Sequence, residues 1–506
     1  MWLLDELLKC KDSVNLAMIN REQSLDYKNL WSKSEAISGW LKHNEKKFHI
    51  FDYHTPVVIY GNKEIDILPC MHASLKCGVA YVPVDTSYPV ERLLKIIKQV
   101  NAYVVFNFSD VKIDIDATVV NQSDLNRIYI KYNDYKSDKA DWVKDDDICY
   151  ILFTSGSTGE PKGVPIKKKN IVNFMDWIQR FLPDDKTQYT VMNQVSYSFD
   201  VSLIPLYVFL SKGKTLYNFD KEMLSNLPEL FENLRRSKLS VWISTPAFLE
   251  ICCHDDSFNE KLMPNLERII VAGEILTKTL VFEIKKRFPQ VTIINGYGPT
   301  ECTVLLSACT ITDEMLQSDL PLPIGRLIDD AKFELLDLHK ENGHNIGELA
   351  VISKSVSDGY YNNMEKNKEC FWYDSLKQQH GYKTGDLVYF NHKLLYYVGR
   401  KDNQIKLNGY RIELGDISEN INKLPYISNN VVLPIKKHDK IEYLMDVYSL
   451  KEDLSESNLK LTIRLKNDLG KLIPSYMIPR KFVRVNEFPL NVNGKIDRKK
   501  LLEDLK

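Results

Sequence analysis

Thr154-Ser155-Gly156-Ser157-Thr158-Gly159-Glu160-Pro161-Lys162-Gly163 is the stretch that most limits the folds open to this chain. It follows Ile148-Cys149-Tyr150-Ile151-Leu152-Phe153, a short apolar run of the kind that is buried as a strand. Beyond it, Ile171, Phe174, Met175 and Ile178 recur at the spacing of an amphipathic helix. Glycines let a backbone pass close to a ligand, and hydroxyl and N–H groups donate to phosphate oxygens. With one lysine added, the stretch reads as a loop that handles a triphosphate. It is not the common P-loop, which ends in Gly-Lys-Ser/Thr and holds magnesium with that last hydroxyl. Here Pro161 precedes Lys162 and Gly163 follows it, so a metal has to be held elsewhere. Taken alone, the stretch also fits a flexible Ser/Gly turn.

At 506 residues the chain is too long for one core, and two or more domains are expected. Its first part alternates short apolar runs with helical segments. Pro56–Gly61, Ala80–Asp85 and Ala102–Phe106 read as strands, Ile65–Lys76 and Pro89–Gln99 as helices. Residues 121–147 are polar without clear periodicity and read as a loop region. Strand-like runs resume at Val191–Tyr197, Thr215–Tyr217, Val241–Ser244, Ile269–Gly273 and Val291–Ile294. This alternation predicts an α/β fold, with sheets layered by helices. From Leu322 to Val398, short alternating strands and Gly-centred turns predict an antiparallel, barrel-like β subdomain. Near Asp402 the character changes again, which divides the chain into a large domain, 1–401, and a small α+β domain, 402–506.

A net charge of −1 argues against nucleic acid as the main partner. From Asn403 onward there are 19 Lys and Arg against 14 Asp and Glu, a basic balance that suits an acidic partner or is ordinary surface variation. Nine scattered cysteines suggest neither a disulfide framework nor a zinc site and fit a reducing, cytoplasmic setting. Met1–Lys9 carries Asp5 and Glu6 and reads as an amphipathic helix, not a signal peptide. No apolar run approaches the ~20 residues that span a bilayer, so no membrane insertion is expected.

Four further loops carry chemistry. Asn295-Gly296-Tyr297-Gly298-Pro299-Thr300-Glu301 follows a β-branched run and offers a ring for a base, a hydroxyl for a phosphate and a carboxylate for magnesium. Tyr382-Lys383-Thr384-Gly385-Asp386-Leu387 places an acid on a turn, where it can accept ribose hydroxyls. Gly399-Arg400-Lys401-Asp402 leads into Gln404–Glu413. Asn493-Gly494-Lys495-Ile496-Asp497-Arg498 sets a lysine on a glycine turn, which by itself is more often a solvated tail residue.

Together, from Leu75–Asp85 to Lys495, these loops resemble the adenylate-forming superfamily of acyl-CoA synthetases, luciferases and amino-acid adenylation enzymes. Ser198-Phe199-Asp200-Val201-Ser202 and Leu472–Phe482 are most similar to the amino-acid adenylation enzymes. Val82–Ser87, Trp242–Pro246, Gly273–Leu276 and Met477–Phe482 are similar to the D-alanine–carrier protein ligase family. Ala272, Gly296 and Leu305 depart from that family's Cys, Thr and small residue. The resemblance implies ATP-dependent activation of a small amino acid, D-alanine favoured, as an aminoacyl-adenylate. The amino acid then passes to the phosphopantetheine thiol of a separate carrier protein, or to coenzyme A. It implies ATP contacts from Thr154, Ser155, Gly156, Ser157, Thr158, Gly159, Lys162, Asn295, Tyr297, Thr300, Asp386, Arg400 and Lys495, and Mg2+ on Glu301. Lys495, Lys162, Thr300 and Glu301 would be catalytic. Asp200 would accept the substrate ammonium, with Val201, Ala272, Gly296, Val304 and Leu305 around the substrate. Asp402 would be a hinge that makes the small domain mobile, and Gly409 would line the pantetheine channel. Another amino acid, an acyl- or aryl-CoA ligase, and a nucleotide-binding regulator are the alternatives.

Overall fold

Runs of Val, Ile and Tyr build three sheets before residue 401. The computed structural model describes residues 1–506 apart from 22, 49–54, 157–159, 184–188, 403, 438–439, 453–455, 487, 490–495, 497 and 505–506. A six-stranded sheet runs in the order Thr118–Val120, Val104–Asn107, Val57–Gly61, Tyr81–Asp85, Ile148–Thr154, Lys162–Lys167. Its first five strands pair in parallel. Val57–Gly61 and Tyr81–Asp85 are buried along their whole length, as strands covered on both faces are. A nine-stranded sheet has Thr292–Tyr297, Arg268–Ala272, Leu239–Ser244, Thr190–Asn193, Thr215–Asn218 and Leu16–Asn20 parallel at its centre, with antiparallel strands at both edges. The barrel-like subdomain is a five-stranded antiparallel sheet of Lys332–Glu341, His344–Ile352, Phe371–Asp374, Gln379–Asn391 and Leu394–Arg400.

Two expectations are corrected. Residues 121–147 are not all loop, because Gln122–Lys131 is a helix. Asn121 and Asp124 form a reciprocal capping box that satisfies its first N–H groups, while only Leu125 and Ile128 are buried. So narrow an apolar stripe left little periodicity to read. The loop at 154–163 does not run directly into a helix either. Lys162–Lys167 is a strand that buries Val164 and Ile166, and the helix Lys168–Ile178 starts after it. The loop therefore joins two neighbouring strands of one sheet.

The chain divides into two compact units: 1–86, 97–153 and 163–401; and 87–96, 154–162 and 402–506. In the second, the strands Ile427–Lys437, Lys440–Leu450 and Lys481–Arg484 form one sheet. The helices Leu414–Asn422 and Asn458–Leu469 pack on it through Ile417, Ile421, Leu461 and Leu465. Gln404–Leu407 and Tyr410–Glu413 form a hairpin. Its turn, Asn408 at φ 53° and Gly409 at φ 83°, has the two left-handed residues of a type I′ turn. The segment 87–96 joins this unit through Arg92, whose guanidinium lies 3.7 Å from the buried Asp416, and through the rings of Tyr88 and Tyr476. Among the described residues no helix is long and apolar enough to cross a membrane.

Asp446 is an anomaly in this unit. It lies on the face of its strand that buries Leu444 and Tyr448, is fully buried, and neither carboxylate oxygen has a hydrogen-bond partner among the described residues. Burial holds its carboxyl well above the usual carboxylate range. The folded state thus keeps a proton that the unfolded chain gives up. The stability tied to this group is complete below the unfolded pKa and is lost as pH rises toward the folded one. Asp446→Val is expected to stabilise the protein by about 2 kcal/mol at pH 8, the usual cost of a buried unpartnered polar group. The gain should shrink as pH falls toward 4, which urea unfolding of both proteins at the two pH values will measure.

Candidate active site

Of the residues expected at the site, Ala272, Asn295, Gly296 and Tyr297 lie at the carboxyl ends of parallel strands, where α/β sheets bind ligands. Arg268–Ala272 and Thr292–Tyr297 run side by side, with Ala272 opposite Gly296. A turn of 3-10 helix, Thr300–Cys302, follows. Thr303 and Val304 then adopt left-handed φ values of 58° and 67°. For β-branched residues this conformation is strained, and such strain concentrates at functional sites. Leu306 N–H donates to the Tyr297 carbonyl (2.7 Å), and the Thr303 hydroxyl donates to the Ser355 carbonyl (2.6 Å). These bonds hold the turn that presents Thr300 and Glu301.

Asp200 opens the 3-10 turn Asp200–Ser202, which leads into a π-helix, Ile204–Phe209. π-helical turns are rare and recur at functional sites. The Thr300 hydroxyl donates to Asp200 Oδ2 at 2.7 Å. Residues expected at the substrate ammonium and at the α-phosphate are therefore in direct contact. Both are half-buried. The loop leading to Asp200 is pinned by groups that sequence reasoning missed. Lys63 Nζ, fully buried, donates to Asn193 Oδ1 (3.0 Å) and to the Val195 carbonyl (2.7 Å). Asp85 accepts from the Ser196 hydroxyl (2.5 Å), and the Ser198 hydroxyl accepts from Asp85 N–H (2.9 Å). Asp85 ends the Val82-Pro83-Val84-Asp85 motif, which was a signal; nothing in the sequence marked Lys63.

Gly296 and Leu305 are packed against each other. A Cβ on Gly296 would sit 2.8 Å from Leu305 Cδ1. Leu305 thus fills the space beside the glycine, and any side chain at 296 displaces it. Leu305 and Val304 are buried, as is Val201.

Tyr297, Asp386 and Arg400 form a second cluster. The Tyr297 hydroxyl donates to Asp386 Oδ2 (2.6 Å), and Arg400 donates to Asp386 Oδ1 (2.8 Å). Burial, reinforced by the Asp386 carboxylate, pushes the Tyr297 phenol well above its ordinary range, so it stays a donor. Asn295, two residues back on the same strand face, donates to the Pro323 carbonyl (2.8 Å). Glu301 is buried and accepts from the Tyr360 hydroxyl (2.7 Å), while Ser357 N–H donates to the Glu301 carbonyl (2.8 Å). Tyr360 lay outside the motifs read from sequence. The adjacent Tyr360-Tyr361-Asn362-Asn363 run gave no sign of a partner so distant in the chain.

In the second unit, Lys162 is buried with its ammonium 3.2 Å from Glu413 Oε1. The Ser155 hydroxyl donates to the Arg411 carbonyl (2.9 Å) and accepts from Glu413 N–H (3.2 Å). Gln404 donates to the same Glu413 carboxylate, and Arg411 Nε donates to Gln404 Oε1 (2.9 Å). Thr154 starts the loop and Gly156 packs against the Glu160 carbonyl. Asp402 accepts from Gln404 N–H (3.1 Å). Ser157, Thr158, Gly159 and Lys495 lie outside the described residues.

The family model for AMP-binding enzymes matches residues 10–361. The chain belongs to the AMP-binding enzyme family. Within this family it is similar to the D-alanine--D-alanyl carrier protein ligase of Bacillus licheniformis, 37% identical over 498 residues, 97% of this chain and 96% of that protein. The ligase of the same name from Bacillus cytotoxicus is 36% identical over 496 residues, with the same coverage. Proteins of known structure share the fold. An NRPS protein containing adenylation and PCP domains, bound to a vinylsulfonamide inhibitor, superimposes with TM-score 0.79 at 23% identity, over 99% of this chain and 84% of that one. The Vibrio cholerae adenylation domain AlmE, in complex with glycyl-adenosine-5'-phosphate, gives TM-score 0.79 at 18% identity, over 99% and 97%.

Proposed function

We propose that this AMP-binding enzyme activates D-alanine with ATP as an aminoacyl-adenylate and transfers it to the phosphopantetheine thiol of a separate carrier protein. The observation that carries the reading is the Asp200 carboxylate held 2.7 Å from the Thr300 hydroxyl. A carboxylate at that point gives a substrate ammonium a charge-assisted partner. The neighbouring hydroxyl suits an α-phosphate oxygen. A substrate without an ammonium would forgo that charge-assisted pair.

The Gly296–Leu305 packing supports a small side chain. Leu305 restores the bulk that the glycine removes, so the two departures from the ligase pattern offset each other in volume. Tyr297, Asp386 and Arg400 are assigned to the nucleoside, with Asn295 beside the adenine. Lys162 and the hydroxyls of its loop are assigned to the departing phosphates. The reaction then needs alignment and neutralisation of developing charge.

Glu301 suits magnesium: a single hard carboxylate oriented by the Tyr360 phenol. Magnesium is commonly held by one or two carboxylates plus substrate phosphates. Among the described residues no group of three or more His, Cys, Asp or Glu forms a dedicated cage, in keeping with that mode. When bound with ATP, magnesium supplies charge neutralisation at the phosphates. Asp402 is assigned as the hinge and Gly409 to the pantetheine path. The nine scattered cysteines suit a reducing cytoplasm.

An ATP–pyrophosphate exchange screen over both enantiomers of the small amino acids, with propionate as control, tests the reading. Exchange is expected with D-alanine and not with propionate. Exchange with propionate alone would replace the reading with an acyl-CoA ligase, and no exchange with any acid would leave a nucleotide-binding protein.

A further inference from the structure

Lys63 stands where the two larger sheets meet. It lies two residues beyond Val57–Gly61 of the six-stranded sheet and reaches across to the nine-stranded one. Its amino group donates to Asn193 Oδ1 (3.0 Å), at the end of Thr190–Asn193, and to the Val195 carbonyl (2.7 Å) just beyond it. It lies 3.7 Å from the centre of the Tyr197 ring. The Lys63 carbonyl accepts from the side-chain amides of Asn20 (2.9 Å) and Asn218 (3.0 Å), each the last residue of a strand of that sheet. Asn193 closes the cluster by donating to the Tyr197 hydroxyl (2.9 Å) and to Asn218 Oδ1 (2.7 Å).

Stability is a poor reason for a lysine here. Burying a polar side chain costs free energy that its hydrogen bonds roughly offset, and an apolar side chain of the same length incurs no such cost. Burial holds the amino group well below the usual lysine range, against the pull of Asp85 and Glu64. Either protonation state keeps both hydrogen bonds, because a neutral amine still has two N–H groups. What the lysine supplies is geometry. Residues 194–199 form no helix or strand, so no backbone ladder fixes them. Lys63 holds this stretch at Val195 and Tyr197. Asn62, its neighbour, acts on Ser196: the Asn62 amide (2.9 Å) and the Ser196 hydroxyl (2.5 Å) donate to the same Asp85 oxygen. Asp200 follows directly.

We propose that Lys63 is a positioning residue for the amino-acid subsite, fixing the stretch that delivers Asp200 and so governing capture of the amino acid and not of the nucleotide. The proposal rests on the assignment of Asp200 to the substrate ammonium. Tyr297, Asp386 and Arg400, assigned to the nucleoside, are held by one another instead.

ATP–pyrophosphate exchange with the full chain tests it. Lys63→Met keeps the length of the side chain and removes both donors. It is expected to lower kcat/KM for D-alanine about tenfold, within the ~10²-fold that a 1 Å misplacement can cost, and to leave KM for ATP within about twofold of wild type. In the Asp200→Ala background the same substitution is expected to change kcat/KM for D-alanine by less than about twofold, since the carboxylate through which Lys63 acts is gone. Should Lys63→Met not fold, Lys63→Gln takes its place: its amide still donates, one bond closer to the backbone, and the same pattern is expected with a smaller loss for D-alanine. A loss that also raises KM for ATP, or that recurs in full in the Asp200→Ala background, makes Lys63 a support of the fold and overturns the proposal. An unchanged kcat/KM for D-alanine in Lys63→Met overturns it too. These outcomes leave the Asp200 assignment standing. Unchanged D-alanine exchange in Asp200→Ala alone overturns that assignment, and the proposal with it.

Discussion

Lys495→Ala is expected to lower adenylate formation by about 10³, the scale on which preorganised electrostatic stabilisers act, yet to leave transfer of a supplied aminoacyl-adenylate to the carrier thiol within a fewfold of wild type. The two half-reactions demand different things of the protein. In the first, negative charge builds where the substrate carboxylate meets the α-phosphate, and a lysine there offsets it. In the second, a thiol attacks the acyl carbon of the mixed anhydride already formed and AMP leaves, a step for which the proposed withdrawal of Lys495 makes room. Asn493-Gly494-Lys495 belongs to the C-terminal part of the chain, after the proposed hinge at Asp402, so it can serve one step and leave for the next. ATP–pyrophosphate exchange measures the first step, and single-turnover transfer from synthetic D-alanyl-adenylate measures the second. Equal losses in both would mean that Lys495 supports the fold or stays in the site throughout.

Legibility in the sequence followed the physics of each element. Strands covered on both faces, such as Val57–Gly61, announce themselves as unbroken apolar runs, and the antiparallel region before residue 401 as alternation with glycine turns. The turn at Gly298-Pro299 located Thr300 and Glu301, because polar groups after a β-branched run fall at a sheet's carboxyl edge. What escaped were relationships between distant residues. Lys63 reads as a surface lysine until Asn193 and Val195 close over it. Tyr360 becomes the partner of Glu301 only when the segment after His344–Ile352 is folded against the turn at Thr300–Cys302. Leu305 and Gly296 looked like separate departures until their packing joined them. Asp446, unpartnered in a strand core, contradicts the pattern that predicts the strand around it, and nothing in the structure explains its presence.

Asp200→Ala is expected to reduce exchange with D-alanine by about 10²–10³ in kcat/KM, because truncating one partner of a desolvated charge pair costs 2–5 kcal/mol or more. Exchange with propionate, negligible in wild type, should hold or rise, since the variant no longer sets a carboxylate against an acid that lacks an ammonium. The ratio of the two substrates separates recognition from stability, as a misfolded variant loses both. Asp200→Asn sharpens the point. It keeps the shape and can still accept from Thr300, but it lacks the charge. If charge pairing is what Asp200 supplies, Asn should discriminate against D-alanine nearly as strongly as Ala. Were Asn to restore most of the activity, a neutral hydrogen bond would suffice, and the preference for an amine would have to come from elsewhere in the pocket. An unchanged rate in Asp200→Ala would remove the ammonium from the mechanism, and the Thr300–Asp200 contact would then serve only to fix the turn that carries Glu301.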